Sequence, residues 1–246
     1  FSDEGYRWVV SPPGEPELAQ TVRASGARIA VLGVSRYGGE LYPALAEQAG
    51  SGPALIARYG VGYDGVDLTR CRERNIIVAN TPGTLDVSVA EHALALILSL
   101  ARRVPALHAV VKAGEFSSTP GIELSGRLLG VAGFGAIGRK LALAASRGLG
   151  MRVAAFDSLG LRELASREGL SQREFLGRYG LELCTTDFRE FAGSLDVLSI
   201  HLPVTSGTRR FFDAAHLALL PPSALLVNTG RGALVDEAAL FDALSS

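Results

Sequence analysis

Gly126-Arg-Leu-Leu-Gly-Val-Ala-Gly133-Phe-Gly135-Ala-Ile-Gly138-Arg-Lys-Leu141 is the stretch on which the fold turns. An apolar run, Leu128 to Gly133, passes through a G-x-G-x-x-G pattern into a segment with helical spacing. Each glycine answers a different steric demand. Gly133 permits a tight turn at the strand end, Gly135 lets the backbone approach a pyrophosphate, and Gly138 allows the helix to pack closely on the strand. The amino end of that helix, opened by Ala136 and Ile137, offers unpaired N–H groups and a positive dipole end to phosphate oxygens. Chance grouping is a real alternative in a chain with 29 glycines, but the strand before and the helix after make the pattern informative.

Asp157 stands at the end of the next apolar run, Arg152 to Phe156, 24 residues beyond Gly133. The acidic residue that accepts from ribose hydroxyls in such units falls about 20 residues on. A carboxylate there repels a 2′-phosphate, and the adjacent Ser158 supplies no compensating cation. The residues therefore select NAD over NADP.

Outward from this unit the same rhythm extends over the chain. Ile29 to Val34, Ala54 to Tyr59, Ile76 to Ala79, Val197 to Ile200 and Ala224 to Val227 read as further strands between helix-like segments, the βα alternation of parallel sheets. Their continuous apolarity suits sheets covered by helices on both faces. The rhythm breaks between Asp86 and Ser125, where Asp86 or Ser88 can cap a long helix through Val89, Ala93, Leu96 and Leu100. The expectation is an α/β protein of two Rossmann-like parallel-sheet domains with a cleft between them. A flavodoxin-like substrate domain would occupy 1–92 and an NAD-binding Rossmann domain 93–246, joined on that helix near Ala93. Ser171-Gln-Arg-Glu174 has the form of a capping box and predicts a short extra helix, read as a surface insertion.

Composition excludes several classes. With 24 basic against 25 acidic residues, no net charge steers the protein to nucleic acid or an anionic membrane. The longest apolar stretch, Ala93 to Leu100, is too short to span a bilayer. Cys71 and Cys184 form neither a disulfide framework nor a metal-ligand pattern, which fits a reducing cytoplasm and predicts no metal.

Four further segments resemble the D-isomer-specific 2-hydroxyacid dehydrogenases, the group that includes 3-phosphoglycerate dehydrogenases, hydroxypyruvate reductases and D-lactate dehydrogenases. They are Arg58-Tyr-Gly-Val-Gly-Tyr-Asp-Gly-Val-Asp67; Thr81-Pro-Gly83 with Ser88-Val-Ala-Glu-His92; Ser199-Ile-His-Leu-Pro203 followed by Thr208; and Val227-Asn-Thr-Gly-Arg-Gly-Ala-Leu-Val-Asp-Glu237. Each is weak alone, and together, in the family's order, they are specific. The resemblance implies hydride transfer between NAD and a small 2-hydroxy or 2-keto acid, in a homodimer. It assigns the turn Tyr59-Gly60-Val61-Gly62 to the substrate carboxylate, which agrees with an anion nest of bare amides around Val61. It makes Arg231 the catalytic arginine, with Thr229 and Gly230 beside the nicotinamide and His201, Leu202 and Pro203 bordering the adenosine half. An arginine suits that role because it can grip a carboxylate bidentately and stabilise charge developing on a carbonyl oxygen.

Two expectations qualify this reading. In the family a histidine donates the proton, with a glutamate partner, and both lie beyond the arginine motif; here the sequence stops at Ser246, and Phe1 to Gln20 leave little room for the family's opening strand and helix. The 246 residues are thus expected to be a fragment of a longer polypeptide. The rival reading is a non-catalytic NAD-sensing protein, corepressor-like, on the same fold.

Overall fold

A computed structural model describes residues 5–245, which form two compact units that divide between Leu85 and Asp86. The whole of the long helix from Asp86 belongs to the second unit. The sequence reading had set the junction within it, near Ala93. Packing explains the difference: Ala90, Ala93, Ile97 and Ala101 are all buried in the second unit's core.

In the first unit, α1 (Glu15–Ser25), β1 (Ile29–Leu32), α2 (Leu41–Ala49), β2 (Ala54–Arg58), α3 (Leu68–Glu73) and β3 (Ile76–Ala79) build a three-stranded parallel sheet in chain order. Local signals set the helix ends. Pro16 lies in the first turn of α1 and Gly26 closes it in the left-handed region. The Asp67 carboxylate caps α3 by accepting from Thr69 and Arg70 N–H. The core gathers Val22, Leu32, Tyr42, Leu45 and Ile56. Ile29, Val31 and Ile77 are exposed, so burial alternates along β1 and β3. Continuous apolarity had suggested cover on both faces, and among the described residues this sheet has it on one.

The second unit comprises α4 (Asp86–Ala101), α5 (Val104–Lys112), β4 (Leu128–Ala132), α6 (Ala136–Leu143, prolonged by a π-helical turn over Ala144–Gly148), β5 (Arg152–Phe156), α7 (Leu161–Arg167), α8 (Gln172–Tyr179), β6 (Leu181–Thr185), α9 (Phe188–Ala192), β7 (Val197–Ile200), α10 (Ala214–Leu217), β8 (Leu225–Asn228) and α11 (Glu237–Ser245). Its sheet is all parallel, in the order β6-β5-β4-β7-β8. Here both faces are covered. Leu129, Val131, Val153 and Ala155 enter one core with α4, α6 and α8, while Leu128, Ala132, Ala154 and Phe156 enter another with α9 and α10. The chain leaves β4 for one side of the sheet and returns on the other at β7, so β4 and β7 flank the switch point where such sheets bind ligands.

Two sequence expectations change. β6 was not among the anticipated strands; only Leu181 is buried along it, and the exposed Glu182 is bonded to Arg152 of β5 at 2.7 Å. The capping box of Ser171 and Glu174 forms and starts α8 as foreseen, but the helix is no surface insertion, since Phe175 and Tyr179 are buried. Among the described residues no single helix is long and apolar enough to cross a membrane.

Candidate dinucleotide site and its relatives

The three glycines have distinct environments. Gly133 has φ +96°, donates its N–H to the Phe156 carbonyl at 2.8 Å, and lies so close to the next strand that a Cβ would sit 2.7 Å from the His201 carbonyl carbon. A Cβ on Gly138 would collide with the Gly133 carbonyl oxygen. Gly135, by contrast, is exposed and has nothing within 4 Å of a built Cβ. The protein's own packing thus accounts for the first and third glycines. Beside the second, at the exposed amino end of α6, there is open space for a phosphate.

Asp157 is tied to this turn. Its Oδ2 accepts from Phe134 N–H at 2.8 Å, and its Oδ1 accepts from Leu159 N–H at 3.0 Å and the Ser158 hydroxyl at 3.4 Å. A carboxylate has about four acceptor positions, so capacity remains for ribose hydroxyls. The side chain of Phe134 points the other way, into the core. It packs edge-on against Phe175 and Tyr179, with ring centroids 5.9 and 5.5 Å away. The Arg139 guanidinium lies 5.8 Å from the centroid of Phe134 and 6.0 Å from that of Tyr179, in the range of cation–π attraction. Glu168 completes the group, 3.1 Å from Arg139 Nε and accepting from the Tyr179 hydroxyl at 2.9 Å. Burial, reinforced by that carboxylate, pushes the Tyr179 phenol up and keeps it a donor.

One strand over, His201 N–H donates to the Ala132 carbonyl at 2.7 Å. Its ring is held between hydroxyls, with Nε2 2.9 Å from Ser199 Oγ and Nδ1 3.4 Å from Thr229 Oγ1. Leu202 and Pro203 follow, and the Thr208 hydroxyl donates to the Pro203 carbonyl at 2.6 Å, closing the loop. Burial lowers the His201 imidazole from its ordinary 6.5 to about 4. Between these values the unfolded chain binds a proton that the folded protein does not. Stability therefore falls as pH drops through this window and is unaffected above it. A thermal-unfolding series is expected to show that loss, with a shallower slope in His201→Gln. An unchanged slope would remove His201 as its source.

At the end of β8 the Asn228 side chain brackets the next three residues. Its Oδ1 accepts from Gly230 N–H at 3.0 Å, and its Nδ2 donates to the Arg231 carbonyl at 2.9 Å. Arg231 is extended, at φ −138° and ψ 141°, and its Nη1 donates to the Gly230 carbonyl at 3.1 Å. Asn228 had no role in the sequence reading, although it lies inside one of the quoted segments. An Asn at a strand end can close a local turn through its side chain, and that was the available signal.

Hydrogen bonds and close packing thus run from Asp157 through the Gly133 turn to His201, Thr229 and Arg231, along the carboxyl ends of β5, β4, β7 and β8. With neighbouring strands about 4.8 Å apart, this edge spans about 14 Å.

In the first unit, Tyr59-Gly60-Val61-Gly62 follows β2. Two of its four amides are occupied within the protein. Tyr59 N–H donates to Leu32, and Gly60 N–H donates to the Thr81 hydroxyl at 3.1 Å. Only the amides of Val61 and Gly62 lack an acceptor among the described residues. Gly60, at φ +131°, holds a backbone conformation that residues with a side chain rarely adopt, and a Cβ there would also press on the Arg58 guanidinium. Arg58 itself is buried, at 7% exposure.

Residues 94–246 match the model of the D-isomer specific 2-hydroxyacid dehydrogenase family, NAD binding domain. The chain is 36% identical over 199 residues to a glyoxylate reductase of Thermococcus litoralis, covering 77% of this chain and 56% of that protein. It is also 36% identical over 192 residues to a D-3-phosphoglycerate dehydrogenase of Methanocaldococcus jannaschii, covering 77% of this chain and 34% of that one. Among solved structures, a D-lactate dehydrogenase from Aquifex aeolicus, complexed with NAD and lactic acid, aligns with a TM-score of 0.75 at 29% identity, over 92% of this chain and 63% of that one. The chain thus spans between about a third and two thirds of the length of these relatives. With more than half of its residues in that match and the glycine turn, acidic partner and arginine on one sheet edge, the chain belongs to the D-isomer specific 2-hydroxyacid dehydrogenase family.

Proposed function

We propose that the protein is an NAD-dependent oxidoreductase that moves hydride between the nicotinamide and C2 of a small D-2-hydroxy or 2-keto acid. The observation that carries this reading is the bond from Phe134 N–H to Asp157, which joins the phosphate-approaching turn and the ribose-binding carboxylate in one rigid group. The residues fit the cofactor: Gly135 leaves space for the pyrophosphate, and Ala136 and Ile137 form the first turn of α6 beside it, where helix N–H groups are free to bind phosphate. When bound, NAD supplies or accepts the hydride.

The chain's own residues do the rest. Gly133, Gly135 and Gly138 shape the turn, and Asp157 holds the ribose and disfavours a 2′-phosphate. His201, Leu202 and Pro203 border the adenosine half, and Thr229 and Gly230 the nicotinamide half. Arg231 orients the substrate and stabilises negative charge on its carbonyl oxygen. The turn Tyr59-Gly60-Val61-Gly62 is assigned to the substrate carboxylate on the amides of Val61 and Gly62. His201 is not the proton donor, because burial keeps it neutral and both ring nitrogens face hydroxyls. The same reading takes the protein as a cytoplasmic homodimer formed through the second unit. Two free thiols, Cys71 and Cys184, and the exposed Val104, Val111 and Phe116 on and after α5 support it.

The test is a panel of glyoxylate, pyruvate, hydroxypyruvate and a phosphorylated 2-keto acid, with NADH and NADPH in parallel, on protein from the complete reading frame. Consumption of NADH with at least one acid, faster than of NADPH, is expected. Tight NADH binding without turnover of any acid would favour the sensing protein instead.

A further inference from the structure

We infer that Asn228 is the positioning residue of the Arg231 loop: its side-chain amide clamps the backbone on both sides of Gly230 and so fixes where the guanidinium of Arg231 stands. This rests on the functional reading above, in which Arg231 meets the substrate.

The geometry leaves little choice. Oδ1 accepts from Gly230 N–H at 3.0 Å while Nδ2 donates to the Arg231 carbonyl at 2.9 Å. Reversing the amide would set NH₂ against N–H and oxygen against oxygen, so the two backbone partners assign the orientation. The primary amide supplies the one acceptor and the one donor that these two backbone groups require. Aspartate keeps the acceptor and turns the donor into a second oxygen facing a carbonyl. Leucine matches the size and offers neither bond.

The clamp also sits at the right place in the chain. Asn228 is the last residue of β8, held by the ladder to Ile200 of β7, so its Cα is anchored in the sheet. Beyond it the backbone leaves the sheet, and Gly230 adds a residue with no side chain to restrain it. A Cβ at Gly230 would come 3.3 Å from Asn228 Oδ1, tighter than ordinary contact, so the glycine and the clamp fit each other. Without the amide, Thr229 keeps its contact with His201, but the peptide units that carry Arg231 lose both side-chain bonds. The guanidinium would then sample positions that a small substrate cannot use.

The test measures kcat, KM and NADH Kd for wild type, Asn228→Asp, Asn228→Leu and Arg231→Gln, and for Asn228→Leu combined with Arg231→Gln. A displacement of about 1 Å can lower turnover about a hundredfold, so both Asn228 variants are expected to lose about ten- to a hundredfold in kcat/KM for the 2-keto acid. NADH Kd should stay near wild type. In the Arg231→Gln background, Asn228→Leu should cost little more, because its effect passes through the arginine. A merely structural asparagine would instead weaken NADH binding or add its full cost in the double variant, and either result overturns the proposal. Should the leucine variant fail to fold, the near-isosteric Asn228→Asp carries the same comparison. If wild type turns over a keto acid and Arg231→Gln abolishes this while both Asn228 variants are unaffected, the clamp falls and the functional reading stands. If wild type turns over none, both fall.

Discussion

Arg231→Gln is expected to lower kcat/KM for the best 2-keto acid by about a thousandfold while leaving NADH affinity unchanged. Removing one preorganised donor from a developing oxyanion costs about a hundred- to a thousandfold, and the arginine also supplies a fixed charge and a two-pronged grip that glutamine lacks. The sparing of NADH follows from position. Arg231 lies at the end of β8, two strands from the Gly133 turn, and the residues that shape that turn do not depend on it. Arg231→Lys keeps the charge but loses the planar fork and should recover only part of the rate. The comparison requires steady-state kinetics beside NADH fluorescence titration. Undiminished kcat/KM in the glutamine variant would strip Arg231 of its role.

The second large effect lies at the other end of the edge. Asp157→Ala takes the acceptor from Phe134 N–H and Leu159 N–H, and it removes the group proposed to hold the ribose. Hydrogen bonds to a charged partner are worth about 1.5–3 kcal/mol each, so NADH should bind about ten- to a hundredfold more weakly. NADPH should be affected less, since the repulsion of its extra phosphate disappears with the carboxylate. Preference for NADH over NADPH should therefore shrink, a ratio that calorimetric titration of both cofactors reads directly. An unaltered NADH Kd would place the ribose elsewhere.

The Gly133 turn was legible because its demands are local: a left-handed φ, a close strand and a close helix each exclude side chains at one position. Asp157 was legible by distance along the chain, since one βα unit has a nearly fixed length. What escaped the sequence depends on partners far away. β6 alternates Leu181, Glu182 and Leu183, and Glu182 finds Arg152 only when the sheet assembles. The start of α8 could be read from Ser171 and Glu174, but the burial of Phe175 and Tyr179 depends on Phe134, some forty residues earlier. The junction moved because α4 looks the same in sequence whichever core it serves. At Tyr59-Gly60-Val61-Gly62 the glycines were seen, while Thr81, which occupies the Gly60 amide, could be matched to it only in space. The role of Asn228 needed the path of the backbone after β8.

Phe134 is the first of three positions that the glycine pattern leaves unspecified, and here it roots the turn among Phe175, Tyr179 and Arg139. A loop nailed down from beneath has little motion to surrender when a guest arrives, so the entropic toll on association is small. Encounter with the cofactor should then resemble a key meeting a finished lock, in a single kinetic phase without a slow rearrangement.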